Sequence, residues 1–431
     1  MERILYWLKK MFPEWLLRSI RPVYHLSLAY IGSVIYRHPS KDLKVIIVTG
    51  TKGKSTTVEL IASILETSGT KTASLSTIQF KIGSKVKPNL YKMTTPGRFF
   101  VQKFLFEAKK AGCQYAVLEM TSEAAKQYRH KFIEIDALVF TNLTPEHIES
   151  HGSFEKYKLA KLEIGKQLER SAKRPRYIVS NNDDIHGKDF LALEAEEKLP
   201  YSLSDLKLYT VHKDGVALIF NNNGHEMTIR VPLVGLFNIY NCLAAITLTR
   251  ALDIDWKEIE KALSSISKIA GRVEHFYSPK ELNKKITVVV DYAHTPDSLE
   301  KLYQAFQEVP KICILGNTGG GRDKWKRPEM ARIAEKYCEQ IILTNEDPYD
   351  EDPRAIVEQM AEAITNKEKL DIIMDRREAI KQALQKATDG YYVIVSGKGT
   401  DPYIMSANGN RIPWSDAEVV KEELLNLVTT N

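Results

Sequence analysis

Residues Val45-Ile46-Ile47-Val48-Thr49-Gly50-Thr51-Lys52-Gly53-Lys54-Ser55-Thr56-Thr57 run from a short apolar strand through a glycine-rich turn into a helix. No other stretch constrains the fold as much, because a strand, a glycine turn and a helix in this order form a cradle for phosphate. The glycines let backbone N–H groups close around phosphate oxygens, Lys54 supplies a point charge, and Ser55 or Thr56 can hold Mg²⁺. Lys52 adds a second positive charge. Only Thr51 and Lys52 separate Gly50 from Gly53, whereas the common P-loop has four residues between its glycines. The loop therefore reads as a nucleoside triphosphate site of a narrower kind.

From Lys44 onward, apolar runs alternate with segments of helical period: Val45–Val48, Val58–Ser68, Tyr115–Met120, Ala137–Phe140 and Tyr177–Ser180. This alternation predicts a mostly parallel sheet covered by helices. Leu206–Val231 changes character and reads as a β-rich insertion around Asp214-Gly215 and the Asn221–Gly224 turn. A helix is predicted from Asn238 to Leu252. A second series follows at Ile286–Val290, Ile312–Leu315, Gln340–Leu343, Leu370–Ile373 and Tyr391–Val395, with the polar stretch Ser278–Lys285 as the expected linker. The predicted class is α/β: an amphipathic helical segment over 1–43, a central ATP-binding domain over 44–278, and a smaller Rossmann-like domain over 279–431.

Composition excludes little beyond disorder and membrane-spanning classes: 43% of residues are hydrophobic and 27% charged. A net charge of +6 over many charges of both signs gives no reason to expect nucleic acid. Cys113, Cys242, Cys313 and Cys338 are scattered without a C-x-x-C pair, which argues against a zinc ribbon or a disulfide framework and for a reducing cytoplasm. In the first forty residues, basic side chains flank apolar runs, none of which reaches the roughly 20 residues of a spanning helix. These residues are expected to form one or two amphipathic helices. They pack against the body of the protein or a second subunit, or they touch the inner face of a membrane as a basic interfacial helix.

Other candidate chemistry sits at strand ends, where the ligand crevice of an α/β sheet lies. Glu119 closes Tyr115-Ala116-Val117-Leu118, and His147 follows Ala137–Phe140 and a turn. A carboxylate and an imidazole there suit a divalent cation beside a triphosphate, although each is equally ordinary as a surface residue. Gly316-Asn317-Thr318-Gly319-Gly320-Gly321-Arg322-Asp323 reads as an anion-binding turn or as a flexible basic loop. Asp291 reads as a ribose acceptor or as a helix N-cap.

Together these strings resemble the Mur ligase family of ATP-dependent amide-forming enzymes of peptidoglycan synthesis, and within it the MurE type, over about residues 45–425. The short loop is the family's own. Phe140-Thr141-Asn142-Leu143-Thr144-Pro145-Glu146-His147 is similar to the segment before the family's metal-binding histidine, and Glu119 stands where the other metal carboxylate is expected. Tyr157-Lys158-Leu159-Ala160-Lys161 matches the element whose lysine is carbamylated, which assigns Lys161 to the second of two Mg²⁺ sites. The resemblance gives Asn238, Asn241, Arg272 and Asp291 to the nucleotide, and Thr94, Thr95, Thr121, Ser122 and Arg129 to the muramoyl-peptide substrate. Arg322, Asp347, Gly397 and Lys398 fall near the incoming amino acid.

The implied reaction forms an acyl phosphate from the acceptor carboxylate and ATP, with Lys54 and Mg²⁺ neutralising charge, and then aminolysis. Some features depart from the MurE type. About forty residues precede the loop, where that type carries a uridine-nucleotide domain. Glu346-Asp347-Pro348-Tyr349 replaces an arginine that clamps diaminopimelate, and Gly397-Lys398-Gly399-Thr400-Asp401 replaces Gly-Lys-Gly-His-Glu. A ligase similar to folylpolyglutamate synthase or a cyanophycin-type enzyme is the alternative, as is a non-catalytic partner protein of the same fold acting at a membrane.

Overall fold

The computed structural model describes residues 14–146, 148–222, 225–266 and 268–429. The described residues divide into two compact units: one of 14–146, 152–202 and 243–259, the other of 148–151 and the described parts of 203–242 and 260–429.

The first unit is built on one sheet of β1 (Lys44–Thr49), β2 (Thr72–Leu75), β3 (Gln79–Ile82), β4 (Lys85–Pro88), β5 (Tyr115–Glu119), β6 (Ala137–Phe140), β7 (Tyr177–Asn181) and β8 (Glu197–Tyr201). Their order is β4-β3-β2-β5-β1-β6-β7-β8. The six strands from β2 to β8 in that order run parallel, and β3 and β4 add an antiparallel edge. Val45, Ile46, Ile47 and Val48 are all buried, because helices cover the central strand on both faces and leave no polar side to alternate with. The register pairs Val48 with Glu119 and Thr49 with Phe140, so the glycine turn leaves the sheet between the ends of β5 and β6. The helix Lys54–Thr67 then returns over β1, β2 and β5.

The helix Glu14–Ile35 belongs to this unit rather than forming a segment of its own. Ala29, Gly32 and Ser33 lie on one stripe against the helix Arg98–Lys110, where a Cβ on Gly32 would meet Phe99 and Gln102 at ordinary contact distance. Small residues permit the close approach.

In the second unit β9 (Leu208–His212), β10 (Gly215–Asn222) and β11 (His225–Val231) form the antiparallel sheet expected between Leu206 and Val231. The helix predicted after it spans Leu236–Ala251, and its residues from Leu243 on belong to the first unit. A six-stranded sheet follows from β12 (Glu274–Tyr277), β13 (Thr287–Asp291), β14 (Lys311–Leu315), β15 (Gln340–Leu343), β16 (Leu370–Ile372) and β17 (Tyr392–Ser396), ordered β12-β13-β17-β14-β15-β16. Alternate residues feed opposite cores: Val289, Cys313 and Leu315 pack with Leu302, Met330 and Met360, while Val290, Ile312 and Ile314 pack with Ile380, Leu384 and Val420. Two apolar faces covered by helices make this a doubly wound sheet, as the alternating runs predict.

Two expectations are corrected. Ser278–Lys285 is not a linker: β12 pairs antiparallel with β13, so that stretch joins two strands of one sheet, which begins before residue 278. The four residues of β12 are too few to show a period. Cys313 on β14 and Cys338, at the end of the helix Lys326–Tyr337, form a disulfide. Their 25-residue separation hid a proximity created by packing of that helix on the sheet.

Candidate functional site

Gly50 and Gly53 shape the turn after β1. A Cβ on Gly50 would lie 2.0 Å from Thr141 Oγ1, and its φ is +148°. Gly53 caps the helix Lys54–Thr67 in the left-handed region with φ 82°, and no side chain caps that helix end. The first turn therefore presents backbone N–H groups and the positive end of the helix dipole to an anion. The turn is held from β6: Lys52 N donates to Asn142 Oδ1 at 2.9 Å, Thr141 Oγ1 donates to Lys52 O at 2.7 Å, and Thr51 N donates to Asn142 O at 2.8 Å. Lys52 Nζ is paired with Glu146 at 3.0 Å. Lys54 Nζ donates to Thr51 O at 2.8 Å and stands 3.9 Å from Glu119 Oε1. Thr56 is buried beside them.

Glu119, at the end of β5, is the hub of the site. Its Oε2 accepts from Ser55 Oγ at 2.7 Å, from Thr77 N at 2.8 Å and from Thr77 Oγ1 at 3.0 Å. Ser55 and Glu119 thus offer adjacent buried hydroxyl and carboxylate oxygens, the donor chemistry that Mg²⁺ takes. His147 lies outside the described residues. Among the described residues, no three His, Cys, Asp or Glu side chains converge as a metal group. Lys161, on the helix Phe154–Glu169, is the opposite of the solvated helix residue its surroundings in sequence suggest. It is 2% exposed, its Nζ donates to Gly50 O at 2.5 Å, and it lies 4.7 Å from the Tyr157 ring centroid. Burial, reinforced by the Lys54 charge, holds this amine well below the usual lysine range.

The residues expected to grip the acceptor gather nearby. Thr95 Oγ1 donates to Glu119 O at 3.0 Å, and Thr94 Oγ1 shares a 2.8 Å hydrogen bond with Thr77 Oγ1. Thr121 caps the helix Ser122–Lys126, accepting from Ala124 N, and Ser122 is buried. Arg129 is 7% exposed and donates to Thr95 O and to Gln127 Oε1, the latter at 2.7 Å. Burial and the neighbouring Arg98 bring its pKa down to about 10. Among the described residues, its hydrogen-bond partners are all neutral.

In the second unit Asp291 is neither exposed nor a helix cap. Its two oxygens accept from Val273 N at 2.8 Å and Ala293 N at 2.7 Å, while Thr295 caps the helix Pro296–Gln304. Burial raises the Asp291 pKa and Arg272 opposes the rise. Arg272 stacks on Tyr292 at 4.6 Å. Asn238 Nδ2 donates to Val234 O at 2.8 Å, and Asn241 Nδ2 donates to Asn238 Oδ1 at 2.9 Å. Arg322 is exposed. Asp347 and Lys398 are buried against each other: Lys398 Nζ reaches Asp347 Oδ1 at 2.9 Å, Asp401 Oδ2 at 3.5 Å and Tyr403 O at 2.6 Å. Gly397, with φ +108°, has Glu346 Oε2 at 2.3 Å from where a Cβ would sit.

Sequence reasoning missed Thr77, Asn142 and Tyr157. Tyr157 Oη shares a 3.0 Å hydrogen bond with Thr51 Oγ1, and its ring covers the Lys161 amine. Asn142 and Tyr157 stand inside strings that were legible for other residues, whereas Thr77 reaches Glu119 across 42 positions with nothing in the sequence to mark it.

The Mur ligase middle domain family model matches residues 48–249, and the Mur ligase glutamate ligase domain model matches 271–399. The chain is 37% identical over 392 residues to the UDP-N-acetylmuramoyl-L-alanyl-D-glutamate–2,6-diaminopimelate ligase of Aquifex aeolicus, covering 90% of this chain and 78% of the relative. It is 33% identical over 429 residues to the UDP-N-acetylmuramyl-tripeptide synthetase of a Roseiflexus species, covering 94% and 83%. A solved structure of a UDP-N-acetylmuramoyl-L-alanyl-D-glutamate–2,6-diaminopimelate ligase superposes with a TM-score of 0.61 at 28% identity, over 89% of this chain and 79% of the other. Folylpolyglutamate synthase of Mycobacterium tuberculosis superposes with a TM-score of 0.70 over 87% and 92%, and at 15% identity it shares the fold.

Proposed function

The chain belongs to the Mur ligase family, and from that premise we propose that it is an ATP-dependent, ADP-forming ligase joining an amino acid to a muramoyl-peptide carboxylate in peptidoglycan precursor synthesis. One observation carries the reading: Lys54, Ser55, Glu119 and Lys161 meet around a glycine turn at the carboxyl ends of β1 and β5. A partner protein without catalysis has no need of a buried carboxylate, hydroxyl and two amines at a phosphate cradle.

The turn and the first helical N–H groups bind the β- and γ-phosphates, and Lys54 balances charge as the acceptor carboxylate attacks the γ-phosphorus. Ser55 and Glu119 would hold Mg²⁺, which when bound draws charge from the phosphate oxygens and brings nucleophile and phosphate together. Arg129, whose hydrogen-bond partners among the described residues are neutral, suits a carboxylate of the acceptor, and Thr94, Thr95, Thr121 and Ser122 orient it by hydrogen bonds. Asn238, Asn241, Arg272 and Asp291 are assigned to the nucleoside and phosphates by family resemblance.

Lys161 is assigned a carbamate. Once deprotonated, its amine adds to CO₂, forming an N–C bond and releasing a proton, and the resulting carbamate would supply an anionic oxygen ligand for a second Mg²⁺. Glu119 and His147 are the proposed co-ligands. Tyr349, whose ring packs against Gly320, offers no fork for a distal carboxylate, so the added amino acid is expected to be other than diaminopimelate.

The test is an ATP-dependent ligation assay read by mass, crossing muramoyl dipeptide, with and without its uridine nucleotide, against a panel of amino acids. A mass gain with phosphate release is expected, and its absence with every acceptor sinks the reading. Lys161→Ala is expected to lose activity by at least about a hundredfold, with partial recovery in bicarbonate or acetate. Full activity in that variant removes the carbamate.

A further inference from the structure

The helix Glu14–Ile35 is apolar on both sides. Toward the protein it presents Ala29, Gly32 and Ser33, yet the opposite face carries Val23, Tyr30, Ile31, Val34 and Ile35, which are 45–66% exposed. A helix apolar all round is ordinarily buried, and a contiguous exposed patch of this kind marks an interaction surface. The exposed residues recur at 23, 30, 31 and 34, one stripe along the helix, with Tyr24 beside them.

Charge selects the partner. The first 43 residues hold seven lysines and arginines against Glu2, Glu14 and Asp42, so a tenth of the chain supplies most of its +6 excess. Arg37 and Lys41, just past the helix, are exposed, as are Lys103 and Lys110 on the helix it packs against. A second copy docking through the same face would bring two such basic segments together, which is repulsive. No described helix is long and apolar enough to cross a membrane. An apolar stripe with tyrosines, followed by the exposed cations Arg37 and Lys41 and carried on a helix not apolar enough to span, matches an anionic phospholipid surface.

We infer that the helix Glu14–Ile35 lies in the interface of a bilayer bearing anionic headgroups, with Val23, Tyr30, Ile31 and Val34 among the acyl chains. The body of the protein covers the other side of the helix. This surface is separate from the ligase site, so its failure and that of the catalytic reading are independent.

The full chain is tested by co-sedimentation with vesicles of phosphatidylcholine alone and with added phosphatidylglycerol, at low and at half-molar salt. Binding is expected only with phosphatidylglycerol, weakening several-fold with salt. The triple variant Val23→Ser, Ile31→Ser, Val34→Ser is expected to bind at least about tenfold more weakly, with unchanged thermal unfolding and ligase turnover. No binding to anionic vesicles, or equal binding by the variant, overturns the inference. So does a concentration-dependent dimer in sedimentation velocity that the variant abolishes, which assigns the face to a second copy. Vesicle-free hydrogen-exchange protection of residues 22–36 that depends on residues 1–13 overturns it too, by assigning the face to the chain's own N-terminus.

Discussion

Gly50 accepts no side chain. A methyl group there would press on Thr141 Oγ1, itself bonded to Lys52 O, so Gly50→Ala displaces the turn from β6 as well as straining its own backbone. An unfolding free-energy loss of roughly 3 kcal/mol is expected by urea titration, together with loss of nucleotide binding. His130 is a second such position. Both ring nitrogens are buried with no hydrogen-bond partner among the described residues, and burial, then the charges of Lys131 and Arg170, push its pKa down to about 3. The folded form stays neutral while the unfolded chain takes up a proton below about pH 6.5, so stability falls as pH drops from there toward 3. At pH 5 the loss from this group is about 2 kcal/mol, and His130→Leu should remove it from the measured pH profile. At this scale the sequence exposed only the glycines and Lys54, since their chemistry follows from adjacency. The burial of Lys161 and the bonds of Thr77 to Glu119 depend on elements meeting from afar.

Helices and strands were most legible where they are long and strongly apolar. The runs at Val45–Val48, Ile312–Leu315 and Tyr391–Val395 became central strands because each is buried on both faces. The short strands β3, β4, β8 and β12, at or next to a sheet edge, carried no such pattern and have no counterpart among the predicted runs. The last elements of the chain share an apolar core and also a buried ion pair. Arg376, at the start of the helix Arg376–Lys386, pairs with Asp416, at the start of the helix Asp416–Thr429, through two 2.8 Å bonds, and reaches Ser396 O at 2.9 Å. Burial is the largest single influence and lowers the Arg376 pKa, but the charge and hydrogen bonds of Asp416, with the charges of Glu346 and Asp347, together outweigh it and the net shift is upward. Asp416→Ala leaves a guanidinium buried without its counter-ion, and a destabilisation of about 3–5 kcal/mol is expected in denaturant unfolding.

For the whole molecule, ligand binding and stability are linked. Mg-ATP at about a hundred times its Kd is expected to raise the unfolding free energy by about 2.7 kcal/mol. Lys54→Met should abolish most of that gain in a thermal shift experiment; a full gain in the variant would mean that the nucleotide binds elsewhere. By itself the sequence determined the α/β class, the phosphate turn and the family, because alternating apolar runs and short motifs are local properties of a chain. It could not determine that Glu274–Tyr277 joins the second sheet, that Cys313 meets Cys338, or that the amine of Lys161 lies sealed against Gly50. Those were decided only in the tertiary structure, where burial removes water and sets which distant side chains must satisfy one another.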